Sequence, residues 1–199
     1  MLTVALQAGG ESHRMGVDKA RVDFLGQLLI VRVLERVALL ADEILVTTNQ
    51  PEAYSFLQVP CVPDVLPGHG ALGGLYTALS AASHPFVAVI ACDMPFANAG
   101  LLAFQQEVLL ATAADAAIPR TPDGLEPFHA VYRKSTCLPW IQAALEAGQR
   151  RVDSWLKQAS VRYITPEEIA RHDPDGLAFL NINTPAELAE AVRLDKMTR

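Results

Sequence analysis

The stretch Leu2-Thr-Val-Ala-Leu-Gln-Ala-Gly-Gly10 decides the fold, because an apolar run passes directly into paired glycines. The run is short and almost continuously apolar, which is typical of a parallel strand buried on both faces. Glycines after such a strand let backbone N–H groups approach anionic oxygens. Arg14 and Lys19 follow shortly afterwards and supply a planar guanidinium group and a compact ammonium group. The pattern predicts a polyphosphate-binding loop, although it matches neither the dinucleotide fingerprint nor the P-loop.

Apolar runs rich in β-branched residues alternate with helical patterns along the rest of the chain. This alternation predicts right-handed crossovers and an α/β fold with three layers, α/β/α, around a Rossmann-like, mostly parallel sheet. No repeat or linker interrupts residues 1–199, so a single domain is predicted. Strands are predicted at 2–7, 43–48, 59–62, 86–92, 115–119, 128–133 and 161–164, and helices at 28–40, 71–83, 100–113, 136–147 and 152–158. Two capping boxes, Thr165-Pro-Glu-Glu168 and Thr184-Pro-Ala-Glu187, predict the starts of two late helices.

The composition excludes several functional classes. Hydrophobic residues make up 51% of the 199 positions and charged residues 19%, which is typical of a globular protein. The net charge is −6, and no cluster of lysine and arginine is long enough to follow a nucleic-acid backbone. No apolar stretch is long enough to span a bilayer, and the first residues lack the pattern of a secretory signal peptide. A cytoplasmic protein that binds neither nucleic acid nor membrane is predicted.

Polar side chains follow the second, third and fourth predicted strands, at Asn49, Asp64 and Asp93. In an open parallel sheet, ligands bind beyond the carboxyl ends of the strands, so these side chains and the glycine loop are expected at one edge. Asp93 could hold Mg²⁺ together with phosphate oxygens, or it could simply end a strand before a turn. Asn49 could contact a ligand or cap a helix that begins near Pro51. Asp64 could meet a ribose or base, or start a turn.

Eight motifs in a fixed order extend these local signals over nearly the whole chain. Together they resemble the molybdenum cofactor guanylyltransferase family, which belongs to the nucleotidyltransferases of glycosyltransferase-A-like fold. The ending at 181–185 is the motif most specific to this family. The motifs are Ala8-Gly-Gly10, Arg14-Met-Gly16, Asp18-Lys19, Gly73-Gly-Leu75, Cys92-Asp-Met-Pro95, Glu126-Pro-Phe-His-Ala-Val-Tyr132, Arg150-Arg-Val152 and Phe179-Leu-Asn-Ile-Asn-Thr-Pro-Ala-Glu-Leu188.

The resemblance implies an enzyme that uses Mg²⁺ to transfer GMP from GTP to the phosphate of Mo-molybdopterin. The products would be molybdopterin guanine dinucleotide and pyrophosphate. Transient contacts with molybdenum cofactor enzymes or other biosynthetic proteins are also implied. The implied catalytic residues are Arg14, Lys19 and Asp93, with Asp93 as metal ligand. The implied acceptor contacts are Asn181 and Asn183, which would lie near the pterin phosphate or the metal, although both are also suitable turn residues before a helix. The implied nucleotide contacts are Gln7, Ala8, Gly9, Gly10, Lys19, Asn49, Asp64 and Asp93.

Three alternatives stay open at this point. A related enzyme could use CTP, or a transferase of the same fold could act on another phosphorylated acceptor. A GTP-binding adaptor could deliver the cofactor without chemistry, although Asp93 and Lys19 favour an enzyme. Gln7 stands where the family usually has leucine. Contacts at this position would be made mainly by backbone groups, so little change is expected, although the preference for the base could be affected.

Overall fold

A mixed β-sheet organises the residues that the computed structural model describes, which are 1–9 and 19–198. The strands are β1 (Leu2–Gln7), β2 (Asp23–Phe24), β3 (Gln27–Leu28), β4 (Glu43–Thr47), β5 (Cys61–Val62), β6 (Phe86–Ala91), β7 (Ala116–Thr121), β8 (Gly124–Leu125), β9 (His129–Arg133) and β10 (Val161–Ile164). The α-helices are α1 (Leu29–Val37), α2 (Gly70–Ala81), α3 (Ala99–Ala111), α4 (Lys134–Glu146), α5 (Pro166–His172) and α6 (Pro185–Thr198). Short 3₁₀ helices span Lys19–Arg21, Ala38–Leu40 and Pro51–Leu57.

The main sheet has the strand order β10-β7-β9-β6-β1-β4-β5, with β8 added to β7, while β2 and β3 form a separate hairpin. β1 pairs in parallel with both β4 and β6, and β5 continues the parallel half beyond β4. β9 is antiparallel to its neighbours β6 and β7, whereas β10 is parallel to β7. The first-predicted strand therefore lies inside the sheet, with strands on both sides.

Helices cover both faces of the sheet. α1 and α3 pack on one face through side chains such as Ile30 and Leu101, and α2 and α4 pack on the other through Leu75 and Ile141. This arrangement confirms the predicted three-layer α/β/α class with a mostly parallel sheet. None of the helices in the described residues is both long enough and apolar enough to cross a membrane.

The C-terminal segment docks against the edge of the sheet that carries the predicted site. Ile182 is buried in a small apolar cluster with Phe24 and Phe96. Arg32 on α1 forms an ion pair with Asp195 on α6, and its guanidinium group lies 5.0 Å from the centre of the Phe24 ring. These contacts hold the segment before α6 close to the end of β6. Both predicted capping boxes are present, because Thr165 with Glu168 and Thr184 with Glu187 form their reciprocal hydrogen bonds.

Local structure departs from the sequence prediction at two places. The helix predicted at 152–158 is wrong: this segment forms consecutive turns, in which the Ser154 N–H donates to the Arg151 carbonyl at 3.2 Å. The buried Trp155 ring donates to the Val152 carbonyl at 2.9 Å, which anchors the turns to the core. The β2–β3 hairpin was not predicted, since its two-residue strands are too short to show an alternating pattern.

A fully buried histidine joins β9 to the start of α3. Nε2 of His129 accepts a hydrogen bond from the Asn98 N–H at 3.0 Å, and the ring packs edge-on against Phe179. Because Nε2 accepts, the neutral ring carries its proton on Nδ1. Burial lowers the pKa of His129 to about 4 from an ordinary value of 6.5. The folded protein therefore disfavours the protonated imidazole.

We expect this histidine to destabilise the protein in mild acid. In the unfolded chain this histidine becomes protonated below about pH 6.5, whereas in the native protein it stays neutral until about pH 4. The free energy of unfolding therefore falls as the pH falls through this window. Between about pH 6.5 and about pH 5, the free energy of unfolding should drop by about 1.5 kcal/mol from His129 alone. Urea titrations of the wild type and His129→Gln at several pH values measure this. Equal slopes for the two proteins would contradict the assignment.

Candidate active site

The carboxyl ends of four parallel strands meet at one edge of the sheet. In the register of β1 with its neighbours, Gln7 lies opposite Thr47 of β4 and Ala91 of β6. The chain continues from these strand ends to Asn49 and Asp93, and from β5 to Asp64. The polar residues therefore share an edge, as the sequence predicted.

Asn49 and Asp64 form a pair that links the ends of β4 and β5. The Asn49 side-chain Nδ2 donates to the Asp64 carboxylate at 2.8 Å, and the Asp64 backbone N–H donates to Asn49 Oδ1 at 3.0 Å. Asn49 does not cap the following 3₁₀ helix, whose N-cap is Gln50 and which has no side-chain cap bond. The capping alternative is thus not realised, and the two side chains lie together at the sheet edge.

Lys19, Asp93 and Asn183 converge from three distant parts of the chain. Lys19 Nζ lies 3.7 Å from Asp93 Oδ2 and donates to Asn183 Oδ1 at 2.5 Å. The Lys19 and Asp93 side chains retain only 22% and 18% of their exposure. Burial raises the pKa of the Asp93 carboxyl group, and the nearby ammonium group of Lys19 opposes that rise. We call these three residues the charged triad.

Hydrogen bonds of the C-terminal segment fix the position of Asn183. The Ile182 N–H donates to the backbone carbonyl of Asp93 at 2.9 Å, so the two segments run side by side. The Asn183 N–H donates to Glu187 Oε2 at 2.6 Å, in addition to the capping box. Asn181 behaves differently, because its Nδ2 turns back to the Phe179 carbonyl at 3.2 Å. The structure therefore brings Asn183 to Lys19 and Asp93, whereas the Asn181 amide donates to a backbone carbonyl of its own segment.

The triad fits a divalent cation that is shared with a substrate. The carboxylate of Asp93 and the amide oxygen of Asn183 already face one positive group, the ammonium of Lys19. The described residues contain no group of three or more His, Cys, Asp or Glu that could hold a metal alone. Mg²⁺ commonly takes one or two carboxylates and completes its shell with waters and phosphate oxygens. The donor set suits that mode of binding.

The end of β1 is tied into the sheet before the glycine loop begins. The Gln7 carbonyl accepts from the Cys92 N–H at 3.1 Å, and the Ala8 N–H donates to the Thr47 carbonyl at 2.9 Å. A Cβ atom on Gly9 would meet only the Thr47 carbonyl, at 4.0 Å, so packing among the described residues does not require glycine there. A ligand that approached the backbone closely at this position would require glycine. Gly10 and Arg14, both predicted site residues, lie outside the described residues.

The Gln7 side chain points toward α2, which packs on one face of the sheet. Its amide group lies over Gly74, where an added Cβ would come within 2.9 Å of Oε1. Its Nε2 is buried and has no hydrogen-bond partner among the described residues. This packing explains why a small residue stands at 74.

Sequence reasoning missed the residue that braces the loop before α2. Arg150 donates to the Gly68 carbonyl at 2.9 Å, and the Leu72 N–H donates to the Arg150 carbonyl at 3.3 Å. Gly68 has a φ of +78°, a conformation that favours glycine. The motif at 150–152 was visible in the sequence, but nothing in its spacing showed that it would reach a loop so far away in the chain.

Comparison with known proteins agrees with this geometry. Residues 4–162 match the family model of the MobA-like NTP transferase domain. The chain belongs to the MobA-like NTP transferase family. It is 39% identical to the "Probable molybdenum cofactor guanylyltransferase" of Peptoclostridium acidaminophilum, over 92% of this chain and 85% of that protein. Members of the family are nucleotidyltransferases, and this chain is one of them.

Two further relatives of this family cover almost the whole length. The molybdenum cofactor guanylyltransferase of Syntrophotalea carbinolica is 33% identical over 92% of this chain and 86% of its own length. The crystal structure of molybdopterin-guanine dinucleotide biosynthesis protein A from Archaeoglobus fulgidus superposes with a TM-score of 0.84 at 28% identity, covering 98% of this chain and 99% of that one. The similarity therefore includes the C-terminal segment that carries Asn183.

The packing around α2 predicts different effects for two adjacent glycines. A Cβ on Gly73 would lie 2.8 Å from the His69 Cβ and 3.2 Å from the Leu66 carbonyl, neither of which can move freely. Gly73→Ala should therefore lower the free energy of unfolding by about 1–3 kcal/mol, beyond the gain in helix propensity. Gly74→Ala should cost less, because the rotatable amide of Gln7 can move away. Chemical denaturation of both variants measures this, and equal stabilities would refute the packing argument.

Proposed function

We propose that this nucleotidyltransferase transfers GMP from GTP to the terminal phosphate of Mo-molybdopterin. The products would be molybdopterin guanine dinucleotide and pyrophosphate. The relatives that are molybdenum cofactor guanylyltransferases support the proposal, since they match more than nine-tenths of this chain. The observation that carries it is the charged triad, in which Lys19, Asp93 and Asn183 meet at the edge of the sheet.

In the proposed reaction, an oxygen of the acceptor phosphate attacks the α-phosphorus of GTP. A new P–O–P linkage forms, the bond between the α- and β-phosphates breaks, and pyrophosphate leaves. The attacking oxygen is already ionised near neutral pH, so no strong general base is needed. Catalysis then depends on in-line positioning and on stabilising charge in the transition state.

Each residue of the triad receives a separate role in this proposal. Lys19 would place its ammonium group on the phosphate oxygens, where negative charge develops as pyrophosphate leaves. Asp93 would hold Mg²⁺, which when bound supplies positive charge shared between triphosphate oxygens. Asn183 would fix the Lys19 ammonium group through its amide oxygen and face the acceptor phosphate. Arg14 and the amides of Gly9 and Gly10 would add further donors on the phosphate side.

The Asn49–Asp64 pair is proposed to contact the nucleoside. It lies on the β4 and β5 side of β1, away from β9 and β7, so it occupies the opposite half of the edge from the C-terminal segment. Gln7 lies between the two halves, and its Nε2, which has no hydrogen-bond partner among the described residues, is proposed to influence which base is preferred. Since the site needs β1, β6 and the segment before α6 together, we also propose that residues 1–199 form one domain.

A panel of nucleotides tests the proposed reaction. Pyrophosphate release should require Mg²⁺ and molybdopterin together, and GTP should support it much better than CTP, ATP or UTP. Preference for CTP would instead identify a cytidylyltransferase. GTP binding without pyrophosphate release under any condition would identify an adaptor that delivers the cofactor without chemistry.

Asp93→Asn should abolish transfer while leaving the protein folded. The amide keeps the shape of the side chain but removes the charge that would hold the metal, so the rate should fall by about a hundredfold or more. Burial disfavours the charge on Asp93, and Lys19 keeps its hydrogen bond to Asn183 in the variant, so the melting temperature should stay near that of the wild type. Steady-state pyrophosphate release and GTP titrations at several Mg²⁺ concentrations measure the effect.

Asp175→Asn is the matched control, because Asp175 is exposed and no role is proposed for it. It should retain the wild-type rate and the wild-type dependence of GTP binding on Mg²⁺. If Asp93→Asn also retained both, Asp93 would not be the metal ligand.

A further inference from the structure

A cavity opens at the same sheet edge, beyond the end of β7. Its volume is about 450 Å³, which lies within the range of small-molecule sites. The walls come from the turn between β7 and β8, from α5 and from the segment before α6. Most of the lining is apolar, including Ile169, Phe179 and Leu180, and none of the mechanism proposed above uses it.

The Glu126 carboxyl group is a polar feature of this cavity, which the exposed Asp123 also lines. It is half-buried, and the described residues offer it no hydrogen bond or ion pair. Asp173, also in the wall, is already engaged, because its carboxylate accepts from the Ala178 N–H at 2.8 Å. Burial, with the charge of Asp123 nearby, raises the pKa of Glu126 to about 7. A ligand that donates N–H groups would relieve this cost of burying a carboxylate.

Two connections place the cavity next to the charged triad. The Phe128 carbonyl accepts from the Ala91 N–H at 3.0 Å, so the segment from Glu126 to Phe128 runs beside the end of β6, two residues before Asp93. Leu180 in the cavity wall precedes Asn183 by three residues, which can span about 10 Å at most. A molecule with a ring system in the cavity could therefore present a phosphate to the triad.

We propose that this cavity binds the pterin end of the acceptor, with Glu126 accepting hydrogen bonds from the ring N–H groups. The inference rests on the proposed function, since it takes molybdopterin as the acceptor. A pterin has adjacent ring and amino N–H groups on its 2-aminopyrimidinone edge, and a carboxylate accepts such a pair through its two oxygens. The apolar walls contact the faces of the rings, and the phosphate at the other end of the molecule reaches Lys19 and Asn183.

Guanine has the same aminopyrimidinone edge, so the same chemistry could bind the base of GTP. The position of the cavity favours the acceptor. Glu126 lies on the side of β6 that carries β9 and β7, whereas the Asn49–Asp64 pair lies across β1 on the side of β4 and β5. The experiment separates the two sources by measuring each ligand alone.

The test compares wild type with Glu126→Gln, using Glu107→Gln on α3 as an exposed control. Equilibrium binding of metal-free molybdopterin, followed by pterin fluorescence, does not depend on transfer. Loss of hydrogen bonds to a charged group should weaken that binding by about tenfold or more in Glu126→Gln. The affinity for GTP should not change, and in transfer assays KM for molybdopterin should rise more than kcat falls. Glu107→Gln should behave as the wild type in all three measurements.

Other outcomes overturn the inference. Weaker binding of GTP with unchanged binding of molybdopterin would assign Glu126 to guanine, and unchanged binding of both would remove the cavity from recognition. Glu126→Gln should melt at or above the wild-type temperature near pH 8, because it removes a charge that burial disfavours, so misfolding would not account for weaker binding. If wild type binds molybdopterin through Glu126 but releases no pyrophosphate, the proposed reaction fails while the binding site stands. If wild type does not bind molybdopterin, both proposals fail.

Discussion

The parallel pairing of β1 with β4 on one side and β6 on the other is the constraint on which the site depends. Side chains that follow these strands must leave the sheet at the same edge, whatever the sequence between them. Gln7 is held from both sides through this pairing, with Thr47 and Ala91 as its neighbours in register. The positions of Asn49, Asp64 and Asp93 follow from that arrangement, since each of them comes shortly after the end of a strand.

Partial burial of charged side chains distinguishes this edge of the sheet. A half-buried carboxylate such as Asp93 is costly unless a positive group compensates it, and Lys19 supplies that group in the protein itself. The same pairing places the ammonium group between two oxygen acceptors, Asp93 Oδ2 and Asn183 Oδ1. A polyphosphate with its own cation would exchange one set of compensating charges for another. The site is therefore already arranged for ions of both signs before a substrate arrives.

The sequence predicted the parallel half of the fold well, because strands buried on both faces leave continuous apolar runs such as 86–92. It predicted less where structure depends on distant contacts. The turns at 152–158 have a helical pattern, but the burial of Trp155 and the bracing of Gly68 by Arg150 decide their conformation. The sequence did not predict that Glu187 fixes Asn183, because the capping box already accounted for this glutamate. Its carboxylate accepts a second hydrogen bond, from the Asn183 N–H, and no sequence pattern indicates that bond.

The charged triad takes its members from positions 19, 93 and 183, so its third member is synthesised long after the other two. A nascent chain on the ribosome can form β1, β4 and β6 and hold Lys19 near Asp93 long before Asn183 leaves the exit tunnel. The centre is completed only when the segment before α6 packs against Phe24 and Phe96. A chain that stopped before residue 183 would carry Lys19 and Asp93 without the amide oxygen that accepts a hydrogen bond from the Lys19 ammonium group.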